Sequence, residues 1–228
     1  MKDARLRLVI FDVDGTLVDS QADILSAMSA AFAGERLPMP HREQVLGIVG
    51  LSLPEAMLRL APDRDEAVRA RMVAGYKDAY MTLRARSGVA QSSPFYPGAR
   101  AILDRLGAVP DVLLGVATGK SQRGLDKLIE GHGLQGVFVT RQVADHHPSK
   151  PHPAMIEAAL SETGVDAQDA VMVGDTVYDL DMARAAGVTA IAVSWGYHPP
   201  DTLRHADAVI DAFDALPGVL NTMWGTVI

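Results

Sequence analysis

The sequence predicts an α/β fold: a doubly wound parallel sheet with an inserted α-helical domain. Three observations carry this. Short apolar, β-rich runs recur along the chain, and helical patterns that end at glycines separate them. One long stretch, from about Asp19 to about Gly88, reads as helix after helix with no strand signal. Alternating strands and helices imply βαβ units, and an uninterrupted helical stretch inside them implies an insertion.

The first run, Leu6 to Phe11, is mostly apolar and stops abruptly at Asp12, as a buried parallel strand would. Comparable runs follow at 112–116, 170–173 and 189–193. Val137-Phe138-Val139 is a weaker strand candidate, and Ala208-Val209-Ile210 is another. Between them, Ala99, Ile102, Leu103 and Leu106 share one helical face. Ser121 can cap a helix that carries Leu125, Leu128 and Ile129 and ends near Gly131 and Gly133. Two further helices precede Gly164 and Gly187.

In the inserted stretch, Ile24, Met28 and Ala31 recur at helical spacing, as do Val68, Met72, Tyr76, Tyr80 and Leu83 after a predicted Asp63 cap. Residues 91–98 are polar and rich in proline and glycine, as a return linker should be. The expected division is a core of residues 1–17 and 92–228 and a helical domain of residues 18–91. Hinges are expected near Leu17 to Ser20 and near Ser87 to Pro97.

Bulk properties narrow the function. The chain has 228 residues, a net charge of −7 and no cysteine. Excess negative charge disfavours a general grip on nucleic acid or an anionic membrane. The absence of cysteine excludes disulfides and thiolate metal sites. No window approaches a membrane span and no signal peptide is evident, so a cytoplasmic protein, monomer or homodimer, is the expectation.

Polar residues close three of the runs: Asp12 to Thr16, Thr118-Gly119-Lys120, and Gly174-Asp175-Thr176 with Asp179 one helical turn on. In an open parallel sheet the carboxyl ends of the strands share one edge, where ligands bind. Asp12, Asp14 and Asp175 can therefore converge, and clustered carboxylates call for a cation. All-oxygen ligands suit Mg²⁺, which commonly shares a substrate phosphate. Each residue taken singly has a plainer reading. The aspartates could close a turn, Thr118 could cap a helix, Lys150 could be a solvated charge, and Asp179 could serve a helix dipole. His146, His147 and His152 flank Lys150, but the acidic set accounts for a metal without them. Arg36, Arg42, Arg59 and Arg84 read as surface cations, and the methionines as core.

These strings resemble the motifs of haloacid dehalogenase superfamily phosphatases, in order and across the whole chain. FDVDGTLVDS resembles the first, VATGK the second with Thr118, PSKPHP the third with Lys150, and GDTVYDLDMARAAG the fourth with Asp175 and Asp179. The insertion between the first and second motifs resembles an α-helical cap on a Rossmann-like core, and the overall pattern is similar to phosphoglycolate phosphatases. The resemblance implies a phosphoric monoester hydrolase acting on a small phosphorylated metabolite. Asp12 would be the nucleophile and form an aspartyl phosphate, and Asp14 would be the acid and base, crowded by neighbouring carboxylates. Thr118, Gly119 and Lys150 would bind the phosphate. Mg²⁺ would be held by Asp12, the Asp14 backbone carbonyl and Asp175, with Asp179 ligating through water or orienting Lys150. The segment from Gly47 to Leu53 resembles a substrate-specificity loop, with a plain helix connection as the alternative.

Within the same resemblance, dehalogenases and phosphonoacetaldehyde hydrolases lack the second acid of DxD, so Asp14 counts against both. A phosphomutase of the β-phosphoglucomutase type keeps both acids and is the enzymatic alternative, although no histidine falls between Asp14 and His41. A non-catalytic binding protein on the same scaffold is the other alternative. It would most easily show as loss of Asp12, Asp14, Lys150 or Asp175, and all four are present.

Overall fold

The structure, a computed structural model, describes residues 5–225; residues 1–4 and 226–228 of the expected core lie outside the described residues. Among the described residues six strands form one parallel sheet in the order β3-β2-β1-β4-β5-β6. They are β1 (Arg7–Phe11), β2 (Val112–Thr118), β3 (Thr140–Val143), β4 (Ala170–Gly174), β5 (Thr189–Val193) and β6 (Ala208–Ile210). The order reverses direction at β1, which pairs with β2 on one side and β4 on the other.

Strand β1 is apolar from Leu8 to Phe11 because both faces are covered there. Val9 and Phe11 join one cluster with Leu103, Leu106, Leu125 and Leu220, while Leu8 and Ile10 join another with Ile156, Ala159 and Leu180. The period-two alternation of a strand thus feeds two hydrophobic layers. The covering helices α6 (Ala99–Gly107), α7 (Gln122–His132), α8 (Ala154–Thr163), α9 (Val177–Ala185) and α10 (Leu216–Trp224) belong to these layers. Ser121 accepts a hydrogen bond from the Gly124 N–H and so caps α7, as its position predicts.

Two expectations shift. The strand expected at 137–139 lies instead at Thr140–Val143. Val139 is 57 % exposed, and β3 borders only β2, at the edge of the sheet. Its inward polar side chains are paired, Thr140 Oγ1 to Glu162 at 2.5 Å and Gln142 Nε2 to Thr140 at 2.8 Å. An edge strand that satisfies polar residues in this way leaves no apolar run to detect. The expected Asp63 cap is also displaced: Asp65 Oδ1 accepts from Val68 N at 2.8 Å.

Residues 21–92 form α1 (Gln21–Gly34), α2 (Arg42–Leu46), α3 (Leu53–Leu60), α4 (Glu66–Ser87) and the short α5 (Val89–Ser92). Ile24, Met28, Phe32, Met57 and Met72 build a hydrophobic cluster apart from the two sheet layers. Among the described residues no helix is long and apolar enough to cross a membrane.

Candidate active site

The carboxyl ends of β1, β2 and β4 bring the expected residues together. After β1 the chain folds into a tight turn in which Leu17 and Val18 donate their N–H groups to the Val13 carbonyl and Gly15 donates to the Val18 carbonyl. Gly15 has φ +91°, and a side chain there would collide with the Asp175 carboxylate. Only glycine meets both conditions. The turn carries Thr16 to Asp175, whose Oδ1 accepts the Thr16 hydroxyl at 3.0 Å and whose Oδ2 accepts the Tyr197 N–H at 2.8 Å.

At the start of α9, Thr176 and Asp179 form a capping box: Thr176 Oγ1 accepts from Asp179 N, and Asp179 Oδ2 accepts from Thr176 N at 3.1 Å. That leaves Asp179 Oδ1 free to accept from Lys150 Nζ at 2.6 Å. The same ammonium donates to Asp12 Oδ1, also at 2.6 Å. Lys150 is therefore not a solvated charge; it is 1 % exposed.

Asp12, Asp175 and Asp179 each offer an oxygen within 4.8 Å of the others, and all three are buried. Three carboxylates thus face one ammonium. Burial pushes the Asp12 carboxyl up to about 7 despite the opposing pull of Lys150, with Asp179 adding to the rise. Burial, then Asp12 and Asp179, holds Asp175 well above the ordinary carboxylate value. Burial works against the Lys150 ammonium, yet Asp12 and Asp179 outweigh it and raise its pKa. Asp12 Oδ2 is buried with no hydrogen-bond partner. A buried, unsatisfied carboxylate oxygen is costly, so this atom and the uncompensated charge both fit a cation held by oxygen ligands.

Asp14 is placed differently. Its carboxylate is not in the acidic group, so any metal contact from Asp14 would rest on its backbone carbonyl. Its charge still adds to the rise of the Asp12 carboxyl, but its own oxygens are held by other partners. Asp14 Oδ1 accepts the Ser20 hydroxyl, and Oδ2 pairs with Lys120 Nζ at 2.8 Å. Lys120 also reaches the Tyr80 hydroxyl of α4 at 3.3 Å and lies 5.3 Å from the centre of its ring. Thr16 and Lys120 stand among the polar residues expected at the strand ends and Tyr80 on an expected helix face, but none of these, nor Ser20 or Tyr197, receives a role in the site from the sequence. Lys120 and Ser20 stand inside the quoted motif strings, so adjacency was a usable signal; Tyr80 and Tyr197 have none.

Thr118 is buried at the end of β2, where its Oγ1 accepts from Lys120 N at 3.3 Å. Gly119 has a packing reason to be glycine: a Cβ would lie 2.6 Å from the carbonyl oxygens of Gly50 and Leu51. Residues 47–52 thus lie directly over the end of β2, and Ser52 N donates to Ser149 Oγ at 2.8 Å. Of the four arginines expected at the surface, Arg84 is buried, donating to the Gly124 carbonyl and to Ser93 Oγ. Asp12, Asp14 and Thr118 open on a cavity of about 870 Å³, closed on the other side by residues of α1, the 47–53 segment, α3 and α4.

Residues 9–193 match the model of the haloacid dehalogenase-like hydrolase family. The chain is 37 % identical over 226 residues to "Probable phosphatase IndB" of Dickeya dadantii, covering 95 % of this chain and 94 % of that protein. It is 34 % identical over 220 residues to a phosphoglycolate phosphatase of Rhodospirillum rubrum, covering 92 % and 89 %. Its fold is similar to that of a predicted phosphoglycolate phosphatase from Haemophilus somnus, with a TM-score of 0.82, 22 % identity and coverage of 94 % and 97 %. The fold is equally similar to a β-phosphoglucomutase from Clostridium difficile, with a TM-score of 0.81, 18 % identity and coverage of 96 % and 97 %. The sheet topology, the buried acids at its edge and the match over most of the length agree: the chain belongs to the haloacid dehalogenase-like hydrolase family.

Proposed function

We propose that the protein is a Mg²⁺-dependent phosphatase that hydrolyses a small phosphate monoester through an aspartyl phosphate on Asp12. One observation carries this reading: Asp12 is a buried carboxylate beside Asp175, Asp179 and Lys150, with one oxygen unpartnered, at the floor of a cavity that Asp14 also lines. Asp12, Asp175 and the Asp14 carbonyl would hold the metal. When bound, it supplies positive charge to the phosphate oxygens and offsets the acidic cluster.

The chain's own residues supply the rest. Lys150 holds Asp12 through Oδ1 and fixes its orientation. Asp179 orients Lys150, because its Oδ1 takes that ammonium while its Oδ2 is tied into the α9 cap. Asp12 attacks phosphorus in line, which divides one hard displacement into two easier ones. Thr118, the N–H of Gly119 and Lys150 bind the non-transferring oxygens. Asp14, positioned by Ser20 and Lys120, gives a proton to the leaving alcohol and later takes one from the attacking water. The 47–53 segment and Tyr80 bring residues of the helical stretch onto this machinery, which supports dividing the chain into a core (1–17, 92–228) and a cap (18–91). Cap movement about residues 17–20 and 87–97 would admit water and release product.

The test is phosphate release from a panel of phosphorylated metabolites, with Mg²⁺ and with EDTA, for wild type and Asp12→Asn. Metal-dependent release that the substitution abolishes supports the proposal. Release that survives either Asp12→Asn or EDTA sinks it. Interconversion of hexose phosphates without net phosphate release would favour the mutase alternative.

A further inference from the structure

The cavity above Asp12 says more about the leaving group than about the phosphate. It encloses about 870 Å³. That lies within the roughly 300–1,000 Å³ of pockets that surround drug-sized ligands. A two-carbon hydroxy acid such as glycolate would leave most of it empty. Much of the wall away from the acids is apolar or aromatic: Met28, Ile48, Leu53, Tyr76, Tyr80 and Met81 all line it. Tyr76 and Tyr80 stack with ring centres 5.7 Å apart and planes 16° from parallel, and so place an aromatic pair in the wall.

The cations are distributed to match. A compact substrate carboxylate two carbons from the phosphate would need an uncommitted cation deep in the cavity. The two buried cations that line the cavity both hold protein groups. Lys120 is held by Asp14 and the Tyr80 hydroxyl. Arg84 donates from its two terminal nitrogens to the Gly124 carbonyl and Ser93 and lies over the face of Tyr80, 4.8 Å from its ring centre, while its Nε is buried with no hydrogen-bond partner and out of a ligand's reach. The remaining lining cations, Lys77, Arg123 and Lys127, are exposed, and Lys127 is paired with Glu130.

We infer, building on the phosphatase reading, that the preferred substrate is a phosphate monoester whose alcohol carries a planar ring system, not a short hydroxy acid. The phosphate sits at the strand ends, and the ring packs among Tyr76, Tyr80, Met28 and Met81. Planar apolar surface is what such a wall rewards, through burial and contact with aromatic edges.

The experiment has a catalytic and a binding arm. The first compares kcat/KM, with Mg²⁺, for phosphoglycolate and glycerol phosphate against ring-bearing esters: a nucleoside 5′-monophosphate, pyridoxal 5′-phosphate and flavin mononucleotide. At least one ring-bearing ester should exceed phosphoglycolate by about tenfold or more, the scale on which an apolar pocket discriminates by one group. Ile48→Trp, which fills the cavity, should lower kcat/KM for the ring-bearing esters by a larger factor than for the small esters and so remove that advantage; thermal melting checks that it folds. The second arm measures binding of the same esters to Asp12→Asn by calorimetry, independently of turnover. If no ester is hydrolysed but ring-bearing esters bind more tightly, the hydrolytic reading fails and the ligand class stands. If phosphoglycolate equals or surpasses every ring-bearing ester in both arms, the inference is overturned.

Discussion

Asp12 and Asp14 leave the same strand end two residues apart, yet they enter opposite surroundings. Asp12 lies in a buried cluster whose acids outnumber the cation, and one of its oxygens has no partner. Asp14 lies in a satisfied triangle with Ser20 and Lys120, and Lys120 is touched from across the cavity by Tyr80. The first arrangement is incomplete without a cation; the second is complete as it stands. Two identical side chains thus acquire two chemistries from what the fold places beside them, the general way in which paired carboxylates come to divide nucleophilic and acid–base work.

Several experiments would break or sharpen that contrast. The largest effect expected is from Asp12→Asn, which should lower kcat on the order of 10⁴-fold or more for every substrate, since no other group can form the covalent intermediate. Asp14→Asn should cost roughly 10²–10⁴-fold with alkyl phosphates. With an aryl phosphate, whose leaving group departs without a proton, the loss should shrink markedly. Equal losses on both substrate types would erase the distinction between the two acids.

Lys150→Met removes the only ammonium among the described residues that contacts the acidic cluster. It should destabilise the metal-free protein by about 3–5 kcal/mol, the usual result of breaking a buried ion pair. Urea denaturation would measure this, and Mg²⁺ should recover part of the loss.

Metal and pH should act in opposition. Asp12 and Asp175 have raised pKa values in the folded, metal-free protein. The folded state therefore binds more protons than the unfolded state between about pH 4 and 7, and stability contributed by these groups falls as pH rises through that window. Mg²⁺ at about 100 times its dissociation constant should add about 2.7 kcal/mol. Its affinity should rise with pH as the acids lose their protons. Melting curves with and without Mg²⁺ across this range test both signs; Asp175→Asn should abolish the metal effect. The smallest effect is expected from Tyr80→Phe, which deletes only the hydroxyl contact to Lys120. It should lower kcat a few-fold, in line with about 0.5–1.5 kcal/mol for one hydrogen bond, and lower the melting temperature by no more than a few degrees.

The motif residues were legible because each stands next to a strong local signal. A buried strand stops at Asp12, the run at 112–116 leads into Thr118, and a helix begins at Thr176. β3 was misplaced because its inward positions are polar and satisfied by side chains, which hydropathy cannot register. Arg84 was misread as a surface residue because nothing local shows that Gly124 and Ser93 will meet it. Tyr80 lay on a helical pattern that packing alone would explain, and its approach to Lys120 spans 40 residues.

By itself the sequence determined the α/β class, the helical insertion after the first strand, and the residues of the acidic edge. Periodicity, turn chemistry and motif spacing are properties of neighbours along the chain. Only the tertiary structure decided that Lys150 is shared between Asp12 and Asp179, that Asp14 belongs to Lys120, and that the cavity has an aromatic wall. Those facts depend on which distant side chains the packed layers bring within a few ångströms, where burial strengthens every charge and leaves no water to substitute for a missing partner.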